Sequence, residues 1–338
     1  MSVPFIRRFT TVAALIGLLA AKNELSMGGD PEQHLDPQLD RAYPNLKLPT
    51  LGGRQFWGDI YYCRGWRIQH NVLTGHCRLL DPDDVRQAWG SESACRIEWE
   101  RIRREKGIEP DSGKVVVLVH GIIRSSKSFS RMRGMLKLSG YSVIGFDYPS
   151  TQVTIHDSAE YLQKVLASLT DVSEINFVVH SMGGLIVRTY LRTETDPRIH
   201  RMVMLGVPNR GANMANVVQH NPLFKLLFGP AGQQLIHDPE GFISDLPIPT
   251  FEFAIVAGAR GAEDGWNPLI EGDDDGTVEV ANTRLPGATD FMTVSGMHSF
   301  LMDREDVIDA TCRYLTTGAL RESGSRQPIA ADEVHAGD

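Results

Sequence analysis

Val178-Val179-His180-Ser181-Met182-Gly183-Gly184 decides how this chain folds. An apolar run over 175–179 stops at a serine, and an amphipathic run over 185–191 starts just behind it. The pattern reads as a strand, a one-residue corner and a helix. Such a corner strains the serine backbone, lifts its Oγ above the sheet and opens the helix on the serine's own turn. The first N–H groups of that helix then point at the space where negative charge would be held. Gly183 and Gly184 suit the place, because a side chain there would collide with the neighbouring strand or close the corner.

On either side of this stretch, buried-strand runs alternate with helical pattern. Residues 115–119 form a continuous apolar run, as expected of a strand covered on both faces, and 143–146, 202–205, 251–257 and 291–294 repeat the type. A helical pattern reaches about Leu138, and Asp157 with Glu160 three residues on reads as a capping box opening a helix to Leu169. The chain is therefore expected to be α/β, a mostly parallel sheet with helices on both faces, over 114–317. Between 213 and 249 the alternation lapses. The apolar run 222–228 there, cut by Gly229-Pro230, is expected either to form a lid over the active-site face or to be one ordinary packing helix.

Residues 58–113 have a different character. Strand-like pieces at 60–63, 66–68 and 76–80 predict a small antiparallel ribbon, broken by Asp81-Pro82-Asp83-Asp84. A helix in two pieces, 85–89 and 93–106, is expected to follow and to end at Gly107. Trp57, Trp66, Trp89 and Trp99 fall in or beside this extension and read as packing groups that dock it. Residues 22–57 are polar and rich in proline, a linker or strap. Residues 318–338 are small and polar, a tail expected to be disordered.

At the amino terminus Arg7 and Arg8 precede an uncharged run from Phe9 to Ala21. A helix of that run is about 20 Å long, short of the roughly 30 Å hydrocarbon core. A basic flank with a short apolar run is the outline of a secretory signal or a membrane-proximal anchor over 1–21, against the alternative of a plain N-terminal helix. Export or membrane anchoring is the expected localisation. The chain has 338 residues, 42% hydrophobic and 22% charged, with a net charge of −8, ordinary values for a globular protein. No basic stripe interleaved with aromatics occurs, which argues against nucleic acid as a partner. The four cysteines, Cys63, Cys77, Cys95 and Cys312, fit no metal-binding spacing. Cys63 and Cys77 flank the ribbon and are candidates to pair if the protein is exported; Cys95 and Cys312 read as buried free thiols.

A serine hydroxyl is a weak nucleophile until a base takes its proton, and the base needs an acid to hold its tautomer. Of eleven histidines, His298 stands out, lying in a loop directly beyond the run 291–294. His180, beside the serine, is expected to point elsewhere as a satisfied buried group, and His120 to brace loops. The acid is sought in Asp273-Asp274-Asp275-Gly276-Thr277-Val278. Three adjacent carboxylates repel, so one alone should sit against a histidine. Asp275 is preferred over Asp273, since Gly276 permits a tight turn and Val278 begins an apolar anchor. Asp273 and Asp274 are then solvated loop charges or, alternatively, calcium ligands.

Ser181, Asp275 and His298 come in the chain order of the α/β-hydrolase fold. Val119-His120-Gly121-Ile122, His180-Ser181-Met182-Gly183-Gly184, Asp275-Gly276-Thr277-Val278 and Gly296-Met297-His298 together resemble the small bacterial lipases and related serine esterases, over roughly 114–317. The resemblance implies an oxyanion hole from the backbone N–H groups of Ile122 and Met182. It implies that Pro208-Asn209-Arg210-Gly211 shapes the pocket, that the substrate is a small-molecule or lipid ester, and that no metal or organic cofactor is needed. One departure stands out: Val179 holds the place where such elbows carry glycine, and its bulk is expected to crowd the neighbouring strand. Two other uses of the site stay open, an acyltransferase or thioesterase with the same three residues, and a non-catalytic binding module of the same fold.

Overall fold

The computed structural model describes residues 54–211, 230–232, 234–235 and 241–331. These fall within one compact unit, 44–338. The segment expected as a signal or anchor over 1–21, nearly all of the strap over 22–57 and most of the lid over 213–249 lie outside the described residues.

The described chain opens with an antiparallel sheet of four strands in sequential order: β1 (Trp57–Cys63), β2 (Trp66–Asn71), β3 (Cys77–Leu80) and β4 (Arg86–Gly90). The helical piece expected at 85–89 is thus a strand. Asp81 accepts the N–H groups of Asp83 and Val85, turning the chain so that residues 86–90 pair along β3. Five residues cannot sustain a helix nucleus against an open strand edge. Helix α1 (Glu92–Lys106) follows, capped by Ser91 at its start and by left-handed Gly107 at its end. It lays Trp99 on the ribbon, 5.4 Å from the Trp66 ring, and the Trp99 indole donates to the Tyr61 hydroxyl at 2.9 Å.

Cys63 and Cys77 do not pair. Cys63 lies opposite Trp66 and Cys77 opposite His70, at the two ends of β2. That separates them by about 13 Å along the strand, beyond the reach of a disulfide. All four cysteines are free thiols, Cys95 buried and Cys312 half-buried. Burial pushes the Cys63 thiol up to about 11 and the Cys77 thiol up to about 12, so both stay protonated.

The main sheet comprises β5 (Ser112–Val119), β6 (Ser142–Phe146), β7 (Asp171–His180), β8 (Ile199–Leu205), β9 (Glu252–Ala259) and β10 (Asp290–Ser295). All pairs are parallel, in the order β10-β9-β8-β7-β5-β6. Val115, Val117 and Val119 pack into one apolar cluster, Val116 and Leu118 into another, which is period two with both faces covered. The covering helices are α2 (Ser130–Leu138), α3 (Ile155–Ala167), α4 (Met182–Tyr190) and α6 (Glu305–Thr317), with a short α5 (Val280–Thr283). The capping box at α3 differs from the expected one. Thr154 is the cap, exchanging hydrogen bonds with Asp157, while Glu160 sits a turn further on beside His156.

The tail, expected to be disordered, is tied to the main domain as far as Ile329. The buried Asp290 carboxylate accepts the N–H groups of Leu320 and Gln327 and pairs with Arg321 at 2.7 Å. Leu320 and Ile329 are buried in consequence. A carboxylate at the start of β10 needs partners, and the tail supplies them.

The extension is joined to the main sheet through a buried polar knot. Asp59 and Asp147 exchange two backbone-directed hydrogen bonds, 2.9 Å from the Asp59 N–H and 2.8 Å to the Asp59 carboxylate. Arg67 bridges Asp147 at 3.0 Å and also pairs with Asp84. Burial, with the repulsion of Asp147, pushes the Asp59 carboxyl from 3.8 up to about 7 despite Arg67 nearby. Asp147 moves the other way: Arg67, His120 and the Ser126 hydrogen bonds outweigh its burial. Asp59 thus holds its proton in the folded protein over a range where the unfolded chain has lost it. Its contribution to stability is full below about 4 and fades as pH rises through about 7. Thermal unfolding of wild type should fall over that window relative to Asp59→Asn. Parallel pH profiles for the two proteins would refute this.

Candidate active site

The switch point of the sheet lies between β5 and β7, whose onward connections run to opposite sides. Crevices at the carboxyl ends of strands beside such a point are where open α/β sheets bind ligands. The carboxyl end of β5 leads into His120-Gly121-Ile122-Ile123, and that of β7 into Ser181.

Ser181 has φ 53° and ψ −128°, the strained corner expected from the sequence, and its N–H is held by the Leu205 carbonyl at 3.0 Å. Both glycines behind it are required by contact. A Cβ on Gly183 would come within 2.8 Å of the His120 carbonyl oxygen and closer still to that of Val119, and one on Gly184 within 2.5 Å of the Val207 side chain. Val179 is fully buried in the apolar cluster that holds Met182, Leu185 and Met204. It fills the core beneath the elbow, and the strained corner forms above it.

His298 opens the turn after β10, and the structure brings it to both residues expected beside it. Its Nε2 is 3.0 Å from the Ser181 Oγ, and its Nδ1 is 2.7 Å from the Asp275 Oδ2. Its backbone N–H also donates to the Asp275 carbonyl at 2.8 Å. The other Asp275 oxygen accepts the N–H groups of Thr277 and Val278, at 3.0 and 2.8 Å. The carboxylate is therefore fixed at one oxygen and offers the other to the imidazole.

Of the two aspartates before Asp275, Asp274 is not a solvated charge, while Asp273 stays partly open to solvent. Asp274 is buried, its carboxylate taken by the N–H groups of Asn267 and Gly276. Half-buried Asp273 accepts those of Arg260 and Gly261. These bonds shape the loop that presents Asp275, which a run of three aspartates does not disclose. Among the described residues no cluster of histidine, cysteine, aspartate and glutamate is arranged to hold a metal ion.

The N–H groups of Ile122 and Met182 donate to no protein group among the described residues. The loop carrying Ile122 lies against the elbow, since a Cβ on Gly121 would be 3.0 Å from the Ser181 Cβ. His120 braces that loop. Its Nδ1–H donates to the Gly121 carbonyl at 2.7 Å, and its ring stacks on Tyr148 with centroids 4.2 Å apart. Burial lowers its pKa, against the opposing pull of Asp147 and of the Gly121 carbonyl.

His180 does more than fill space. Its Nε2–H donates to the His298 carbonyl at 3.0 Å, and the two rings lie 4.7 Å apart. Burial and the nearby His298 hold His180 well below the usual histidine range, so it is a neutral anchor for the loop that carries His298. The only sequence signal for this role was its adjacency to the serine.

Arg188, on α4 behind Ser181, was also missed. It is 2% exposed, and its guanidinium donates to the carbonyls of Leu246, Pro247 and Asn209, the first at 2.6 Å. It also donates to the Asn209 side chain, whose Nδ2 reaches the Thr283 carbonyl at 2.8 Å. Asn209 thereby joins the nucleophile helix to the segment after Asp275. Burial lowers Arg188 to about 10, leaving it charged at neutral pH. Arg188→Met strips several buried carbonyls of their donor, and chemical denaturation should show a loss on the order of 2–4 kcal/mol. A loss below about 0.5 kcal/mol, the range of neutral surface changes, would count against this clamp.

A family model described as a domain of unknown function (DUF7379) matches residues 84–246, a little under half of the chain. No curated protein matches. Among solved structures, the mature lipase BlEst2 of Bacillus licheniformis is similar at 20% identity and a TM-score of 0.47, covering 62% of this chain and 93% of that one. Phospholipase PlaB of Legionella pneumophila is similar at 18% identity and a TM-score of 0.48, covering 62% of this chain and 60% of its own. A metagenomic carboxyl esterase, MGS0156, is similar at 18% identity and a TM-score of 0.44, covering 55% and 65%. With its parallel sheet, its helices on both faces and a serine elbow at the switch point, this protein has the α/β-hydrolase fold, with an antiparallel four-stranded sheet added at the amino-terminal side.

Proposed function

We propose that the protein is a serine hydrolase that cleaves carboxylic esters through an acyl-enzyme on Ser181. One observation carries this: an unbroken line of hydrogen bonds from Asp275 through His298 to Ser181, ending beside two backbone N–H groups with no acceptor among the described residues. Ser181 Oγ attacks the ester carbonyl as His298 Nε2 takes its proton, and Asp275 stabilises the imidazolium. The N–H groups of Ile122 and Met182 receive the oxyanion. His298 then protonates the leaving alcohol, and water activated by the same nitrogen releases the acid. Ile123, Met297 and Phe300, on the loops that flank Ser181, are exposed, which suits an acyl chain or lipid ester.

Labelling of the purified protein by a fluorophosphonate probe tests the nucleophile. Wild type should label, and His298→Ala should label at least a hundredfold more slowly. A folded wild type that never labels would bring the binding-module reading forward. A panel of p-nitrophenyl esters, the matching thioesters and an added alcohol acceptor separates hydrolase from thioesterase and acyltransferase. The proposal extends to location: Arg7, Arg8 and the apolar run behind them send the chain to or across a membrane. Cell fractionation with and without residues 1–21 reads that directly.

A further inference from the structure

Ile122 is held through the two peptide planes on either side of it. In a trans peptide the C=O and N–H point in opposite directions, so whatever grips one aims the other. The Gly121 carbonyl, in plane with the Ile122 N–H, is gripped by the His120 ring and by the Arg124 N–H at 3.3 Å. The next plane carries the Ile123 N–H, which donates to the Ser150 Oγ at 3.0 Å. Ile123 itself has φ 61°. For a β-branched residue that is a costly conformation, and it persists only where the surroundings over-determine it.

Ser150 comes from the loop after β6 and is fully buried. Its hydroxyl donates in turn to the Gln55 Oε1 at 2.9 Å, and Thr151 donates to the same oxygen at 3.3 Å. The Gln55 Nε2 reaches back to the Arg124 carbonyl at 3.4 Å. One carboxamide thus ties the loop after β5 to the loop after β6. Gln55 stands just before β1, and four residues on, Asp59 grips Asp147 at the start of that second loop. The Tyr148 hydroxyl, between them, donates to the His120 carbonyl at 2.5 Å. Among the described residues, the amino-terminal extension therefore bears on the oxyanion side of the site and makes no hydrogen bond to a residue of the triad.

We propose that Gln55 and Ser150 are positioning residues for the oxyanion loop, acting through the Ile123 N–H to hold the Ile122 N–H toward Ser181. The extension is then part of the catalytic apparatus, and a hydrolase domain cut at residue 114 would keep its triad and lose its hole. This rests on Ser181 being the nucleophile.

The test uses the full chain with Ser150→Ala, Gln55→Ala and the double variant. Ser168→Ala is the control: Ser168 accepts the Tyr62 N–H at 3.1 Å and ties the same extension down away from the site. Ser150→Ala should lower kcat on a p-nitrophenyl ester about 10- to 100-fold, less than outright loss of an oxyanion donor, with KM within twofold. Gln55→Ala should act in the same sense, and the double variant should be no worse than Ser150→Ala, because both break one chain. Ser168→Ala should lower Tm and leave kcat unchanged. Unchanged kcat in Ser150→Ala, or a rise in KM alone, overturns the proposal. Hydrogen exchange over 121–124 reads the same restraint without any turnover. It should quicken in Ser150→Ala and Gln55→Ala but not in Ser168→Ala. If wild type cleaved no ester, the hydrolase reading would fail, and unchanged exchange in Ser150→Ala would separately overturn the positioning role.

Discussion

Ser181→Ala is expected to lower kcat/KM on a short p-nitrophenyl ester by at least about 10⁴-fold while leaving Tm within a few degrees of wild type. The side chain removed is small, and among the described residues its Oγ makes no hydrogen bond beyond the one to His298. His298→Ala should cost about as much, and the double variant should be no worse than either, since a nucleophile without its base and a base without its nucleophile are equally idle. Asp275→Asn separates geometry from charge. The amide can still accept the N–H groups of Thr277 and Val278 through its oxygen. The nitrogen then faces His298 Nδ1 and favours the wrong tautomer, a change worth about 10⁴ in kcat in other triads. Steady-state kinetics on the four variants measure this. A Ser181→Ala protein that kept more than a hundredth of wild-type activity would place the nucleophile elsewhere.

Much of this was legible in the sequence because it is local. The elbow is written in seven consecutive residues, and continuous valine runs announce strands covered on both faces. Asp275 could be preferred because the turn that exposes it is encoded by the glycine beside it. What escaped was non-local. Residues 85–89 look helical in isolation, yet the open edge of β3 turns them into a strand. The tail is polar in composition, but one buried carboxylate at Asp290 collects its backbone. Arg188, Ser150 and Gln55 show no motif, and His180 stands in the elbow stretch without showing its partner, because each acts through a group far away in sequence: the carbonyls of 246 and 247, Ile123, Arg124 and, for His180, His298. Thr154 was overlooked as a cap because Asp157 with Glu160 mimics the same spacing three residues later.

Gly183→Ala is expected to damage the site about as much as loss of an oxyanion donor, while the missing glycine at position 179 costs nothing. The Gly183 Cβ would press on two backbone oxygens, those of Val119 and His120, and backbone cannot step aside as a side chain can. Relief requires the end of β5 and the start of α4 to part. Those are the two elements that carry the N–H groups of Ile122 and Met182, so the strain falls on the spacing of the hole. A drop of about 10²-fold or more in kcat follows from spoiling one donor, with a stability loss of about 1–3 kcal/mol from overpacking. Gly184→Ala meets the buried Val207 side chain rather than the two backbone oxygens that frame the hole, so it should cost stability by overpacking and be milder on kcat. Val179→Gly goes the opposite way from intuition. Restoring the usual glycine would empty a fully buried position among Met182, Leu185 and Met204, at a cost of about 2–4 kcal/mol, without raising kcat. The corner at Ser181 is already closed with valine in place, and the glycine two residues after the serine sets the geometry. Equal kcat for Gly183→Ala and wild type, or faster turnover in Val179→Gly, would mean that the crowding lies before the serine after all.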